Sequence, residues 1–126
     1  MAEFSTRPVS RDEYHEMIAD GWSEDQLLAK VIKLAETLGW LAYHTHDSRR
    51  SQAGYPDLHL VHPVFGLSLF RELKKQKRAY LRPDQKVWLA ALENAGFDCG
   101  VWRPLDYLNG SIRAELELTA RKAPSA

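Results

Sequence analysis

Residues 54–74 read GYPDLHLVHPVFGLSLFRELK, and the fold turns on this stretch. Leu58–His62 has the composition of a strand, Pro63–Gly66 that of a turn, and Leu67–Leu73 that of a second strand. The second strand is antiparallel to the first if the turn is a hairpin. Side chains of a strand alternate between its faces, so Glu72 and Lys74 project to the same side. If the hairpin sets Asp57 beside the end of the neighbouring strand, two carboxylates and an ammonium converge. That grouping has a chemical use. Paired carboxylates bind a hard divalent cation, typically Mg²⁺, which keeps several waters. Such an ion activates water and neutralises charge on a phosphodiester. A lysine beside it can orient or deprotonate the attacking water, or offset phosphate charge. Leu73, between the two, could add its backbone carbonyl as a further oxygen ligand.

Upstream, Ser23 reads as an N-cap, with Gln26 completing a capping-box pattern. Leu27, Leu28, Val31, Ile32, Leu34, Ala35 and Leu38 then recur at helical spacing, and Gly39 is a fitting stop. Trp40–Thr45 has strand character, and residues 46–54 form a polar loop that is basic at Arg49 and Arg50. Downstream, a basic loop spans residues 74–82. Pro83 suits the first turn of a second helix running to Gly96. Phe97–Trp102 reads as the last strand, and a terminal helix is expected over roughly 104–118. Residues 1–22 read as a polar arm with a short helix over 11–19, and residues 119–126 as a tail. The order predicts an α/β fold: one domain over residues 23–118, built on a mixed β-sheet flanked by helices.

A chain of 126 residues is one domain's worth, long enough to build a core without staples. A single cysteine, Cys99, excludes an intramolecular disulfide and a cysteine-built zinc site. The histidines suggest no closed zinc set either. The apolar runs fall short of a membrane span, and the N-terminus lacks the apolar stretch of a secretory signal. A cytoplasmic protein with no membrane association is therefore expected. Net charge is zero, yet residues 1–25 hold seven acids and two bases, about −5, while residues 71–86 hold seven bases and two acids, about +5. A local basic stripe matters more to a polyanion than the global sum. Arg49, Arg50, Lys75, Lys77, Arg78 and Arg82 are the candidate phosphate contacts, and Tyr80 is a candidate aromatic contact to the same polyanion. The four tryptophans are expected mainly in core or subunit packing.

Pro56-Asp57 followed by Glu72-Leu73-Lys74 matches the PD-(D/E)XK nuclease pattern. More closely, the chain resembles the VRR-NUC branch of that superfamily, especially its small stand-alone phage and bacterial versions. The resemblance runs from Ser23 to about Asp106. It takes in Ser23-Glu24, Gly39-Trp40, Tyr43 to Arg49, Gly54 to Asp57, Glu72 to Lys74, Gln85 with Trp88, Ala95-Gly96 and Val101 to Pro104. It implies a restriction-endonuclease-like core. By that likeness Asp57 and Glu72 would hold Mg²⁺ or Mn²⁺, and Lys74 would be the catalytic lysine. Glu24 would be the additional acid, reaching the metal directly or through water, and Gln85 would sit at the edge of the site. Small stand-alone members are similar to Holliday-junction resolvases acting as homodimers on branched DNA, so that substrate and assembly are expected. The alternatives are a flap, fork or nonspecific DNA nuclease, and a non-catalytic DNA-binding module on the same fold. Converging carboxylates, which repel phosphate, argue against the last.

Overall fold

A computed structural model of the chain describes residues 8–45, 52–77 and 79–121. Its elements are α1 (Arg11–Ala19), α2 (Glu24–Thr37), β1 (Leu41–His44), β2 (Leu58–His62), β3 (Leu67–Leu73), α3 (Pro83–Asn94), β4 (Asp98–Trp102), α4 (Pro104–Leu108) and α5 (Ser111–Arg121). Helix α2 starts where its capping residues dictate. The Ser23 hydroxyl accepts from the Gln26 N–H at 3.1 Å, and the Gln26 side chain accepts from the Ser23 N–H at 2.8 Å.

Among the described residues the strands form one four-stranded sheet in the order β1-β2-β3-β4. The pairs β1–β2 and β2–β3 are antiparallel and β3–β4 is parallel, giving the expected mixed sheet. Pro63–Gly66 is the hairpin turn, and Gly66 supplies the positive φ, +67°, that tight reversals need.

The core lies on one face of the sheet. Leu27, Val31 and Ala35 repeat at four-residue spacing along α2, and Ile112 and Leu116 do so on α5. They pack on Leu58, Leu60, Leu69, Leu73, Trp40 and Trp102. Helix α3 contacts β4 and belongs to a second aromatic layer. In that layer Trp88 meets Tyr55 edge-on at 5.1 Å, and Phe70 meets Phe97 edge-on at 5.3 Å. Trp88 is therefore half-buried and lies outside the main core, unlike Trp40 and Trp102.

Two expectations are corrected. The terminal helix is two helices, broken at Asn109-Gly110. Gly110 takes φ +84°, which ends α4, and the Asn109 side chain accepts the Ser111 N–H at 2.9 Å to start α5. The basic stripe is also thinner than its sequence suggests. Arg71 is buried, with its guanidinium bonded to Asp98 at 2.8 Å and to Glu115, and set 4.9 Å from the Trp102 ring centroid. Lys74 is buried as well. Helix α1 packs on α4, and its C-cap Asp20 pairs with Lys77 at 3.0 Å.

Candidate active site

Strand pairing brings the predicted residues together. The β2–β3 register ends at Leu58↔Arg71, which sets Asp57 opposite Glu72 just past the ladder. There Asp57 Oδ2 accepts the Leu73 N–H at 2.8 Å, so a carboxylate stands where the next strand residue would have been. The backbone groups of one strand residue point to the same neighbour. The Leu73 carbonyl therefore lies on the Asp57 side of the strand, while Lys74 N–H donates to Trp102 on the β4 side at 3.1 Å.

The loop before Asp57 is held by three features. Gly54 has φ +90°, and a Cβ there would lie 2.5 Å from the Asp84 carbonyl oxygen in the first turn of α3. Tyr55 packs edge-on against Phe70 at 6.1 Å and Trp88 at 5.1 Å. Pro56 is fully buried. Gly54 and Tyr55 matter because they seat Asp57. Gly54→Ala combines a left-handed backbone with a backbone clash, and each costs about 1–3 kcal/mol. The variant is expected to unfold at lower temperature and to lose most activity, measured by circular dichroism melts beside a cleavage assay.

Glu24, Asp57, Glu72, Lys74 and Gln85 all line one cavity of about 510 Å³, as do Arg82 and Asp84 at its α3 side. Glu72 is 2% exposed. Its Oε1 accepts from the Gln85 amide at 3.3 Å, and its Oε2 is buried without a hydrogen-bond partner. Burial pushes the Glu72 carboxyl up to about 9; a proton shared with the Asp57 carboxylate, and the charges of Asp57 and Glu24, push the same way against the pull of Lys74, so the Glu72 oxygen lacks a donor only when the pair is ionised. Gln85 has two tasks. Its side-chain oxygen accepts the Arg82 N–H at 2.9 Å, capping α3, and its amide nitrogen turns to Glu72.

Among the described residues no three His, Cys, Asp or Glu side chains are grouped as a ready-made metal shell. Two hard carboxylates, a backbone carbonyl and open volume instead suit a cation that keeps several waters, as Mg²⁺ does. The orphaned Glu72 oxygen is the atom such an ion would satisfy. Glu24 is exposed at the N-terminus of α2 and lines the cavity without completing a third close ligand.

Of the candidate DNA contacts, Arg49, Arg50 and Arg78 lie outside the described residues. Lys75 and Tyr80 are exposed, Lys77 is exposed in its pair with Asp20, and Arg82 pairs with Asp84 at 3.2 Å beside the cavity. Sequence reading passed over Arg103. Its guanidinium donates to the Lys75 carbonyl and, at 2.8 Å, to the Ala79 carbonyl.

A family profile described as the VRR-NUC domain matches residues 9–104. A solved structure described as a VRR-NUC domain aligns with a TM-score of 0.59 at 24% identity, over 71% of this chain and 94% of that one. That likeness speaks to the fold, and its mixed sheet flanked by helices is consistent with the PD-(D/E)XK core. No curated protein matches the chain.

Proposed function

The chain belongs to the VRR-NUC domain family, whose members are nucleases acting on DNA, and from that premise we propose that it is a metal-dependent, structure-specific endonuclease. The observation that carries the reading is the convergence of Asp57, Glu72 and Lys74 in one cavity, with a buried Glu72 oxygen left unpartnered. Asp57, Glu72 and the Leu73 carbonyl would hold Mg²⁺ or Mn²⁺, with Glu24 assisting through water. The bound ion would activate water and neutralise charge developing on the phosphodiester. Lys74, as an ammonium, orients that water and offsets phosphate charge. Gln85 holds the Glu72 carboxyl in its rotamer. The products carry a 5′-phosphate and a 3′-hydroxyl.

We assign the substrate as branched DNA, with the four-way junction first, and the active species as a homodimer. A two-fold enzyme places two sites on a two-fold substrate at once. Edge strand β1 supports a subunit contact, since Leu41 and Tyr43 stand 63% and 65% exposed on it. Lys75, Lys77, Arg82 and Tyr80, with Arg49, Arg50 and Arg78, would contact the substrate mainly through phosphates, which position DNA without reading its sequence. The chain carries no helix among the described residues long and apolar enough to cross a membrane.

The test is cleavage of labelled four-way junction, flap and linear duplex with Mg²⁺, Mn²⁺ or EDTA, alongside light scattering. Symmetric paired nicks in the junction, absent with EDTA, together with a dimer mass, are expected. Equal cutting of every substrate would discard the junction assignment, and cutting in EDTA would discard the metal. Binding without cleavage in either metal would leave a DNA-binding module.

A further inference from the structure

The loop between β3 and α3 begins at Lys74 and ends at Arg82, and both residues line the catalytic cavity. Its middle is held from the far side of the domain. Arg103, at the β4–α4 junction, spends both terminal nitrogens on the carbonyls of Lys75 and Ala79. The Leu105 N–H donates to the Gln76 side chain at 2.9 Å. These bonds tie Lys75, Gln76 and Ala79 to the β4–α4 junction. What it presents is a hollow of about 390 Å³, lined by Gln76, Lys77, Ala79, Tyr80 and Arg103. The size lies within the range of small-ligand clefts, about 300–1,000 Å³. Tyr80 stands 82% exposed there, an aromatic ring with no evident packing duty, beside the exposed Lys77 ammonium.

We propose that this hollow is a subsite for one unpaired nucleotide of the DNA substrate, its base stacked on Tyr80 and its phosphate held by Lys77, with Arg103 as the positioning residue that keeps the loop in shape. The inference rests on the nuclease reading and adds to it the means of recognising a branch. Lys77 is three residues from Lys74, so their Cα atoms are at most about 11 Å apart. One DNA strand advances about 3.4 Å per phosphate along the helix axis when stacked and more when unstacked, which puts the subsite within about three nucleotides of the bond that is cut. Within an intact duplex a base there is already stacked on both sides. At a junction, flap or fork an unstacked base is available, and an aromatic face accepts any of the four. Asp20 holds the phosphate position while DNA is absent. Its exposed pair with Lys77 is weak enough to be exchanged.

The test uses the full chain, in EDTA to prevent cutting, with a four-way junction carrying 2-aminopurine at successive positions from the branch. Wild type is expected to quench one position, within about three nucleotides of the cleavage point mapped in Mg²⁺. Tyr80→Phe should keep that quenching. Tyr80→Ala should lose it and raise Kd about ten-fold, within the range for one base–aromatic stack. Arg103→Met should raise Kd similarly, with the cleavage loss falling in KM rather than kcat. It should also open Lys75 and Lys77 to trypsin, and the Arg103→Met/Tyr80→Ala pair should bind no worse than either single variant, since both remove one interaction. Binding and quenching by Tyr80→Ala equal to wild type, or additive losses in the pair, would overturn the subsite while leaving the nuclease reading intact. Absence of DNA binding and cleavage by wild type would remove both.

Discussion

Lys74→Ala is expected to lower the single-turnover cleavage rate about a thousand-fold while leaving DNA affinity within a few-fold. Lys74 is 8% exposed and lines the cavity with Asp57 and Glu72, so its ammonium acts at the reacting phosphate rather than along the DNA. Proton transfer by a positioned side chain contributes about 10²–10⁴-fold, and stabilising the charge of a transition state is of similar size. Affinity should survive because the exposed contacts, Lys75, Lys77 and Arg82, are untouched. The variant also removes a nearby cation that draws the Glu72 carboxyl downward, so part of the loss should be recovered by raising metal and pH together. Lys74→Met, which keeps the apolar stem, separates lost charge from lost packing. Cleavage by both variants within ten-fold of wild type would sink the role of Lys74.

Glu72→Gln should act in opposite directions on activity and on stability. Cleavage is expected to fall by at least about a thousand-fold, as a ligand carboxylate becomes an amide. The metal-free variant should nevertheless melt above metal-free wild type at pH 8. The sign follows from linkage. The folded protein holds the Glu72 proton to about pH 9, against an ordinary value of 4.5, so the unfolded chain gives it up first. Wild-type stability contributed by this group is intact below the unfolded value, declines as pH rises from there, and levels off above about 9. Glutamine carries no charge and loses that slope. Metal reverses the ranking, because an ion binds the ionised carboxyl and is favoured as pH rises. Melts from pH 5 to 9, with EDTA or Mn²⁺, check both halves. A variant that melts below wild type at pH 8 in EDTA would show that burial is not the dominant influence on Glu72.

Local signals in the chain were strong where backbone chemistry is local. Ser23 with Gln26, Gly39, Pro63–Gly66 and Pro83 each mark a boundary through a hydrogen bond, a positive φ or a fixed φ, and the elements begin and end within a residue or two of them. The terminal helix misled because Asn109-Gly110 interrupts a pattern that is otherwise helical on both sides, with Ile112 and Leu116 continuing the apolar spacing. Two arginines show the complementary limit. Arg71 and Arg103 read as part of a basic surface or as neutral context, yet each is committed to partners far along the chain: Asp98 and Glu115 for one, the Lys75 and Ala79 carbonyls for the other.

The sequence by itself determined the strand–turn–strand hairpin and the side of β3 on which Glu72 and Lys74 stand. A two-residue period and a turn composition need no distant partner. Only the tertiary structure decided that Asp57 sits opposite Glu72, because that depends on register across the sheet, and on Gly54 lying against Asp84 at the start of α3. It also decided which charges face the solvent. Burial depends on what packs above a residue, so Arg71 and Lys74 turn inward while Lys75 and Lys77, a few positions on, turn outward.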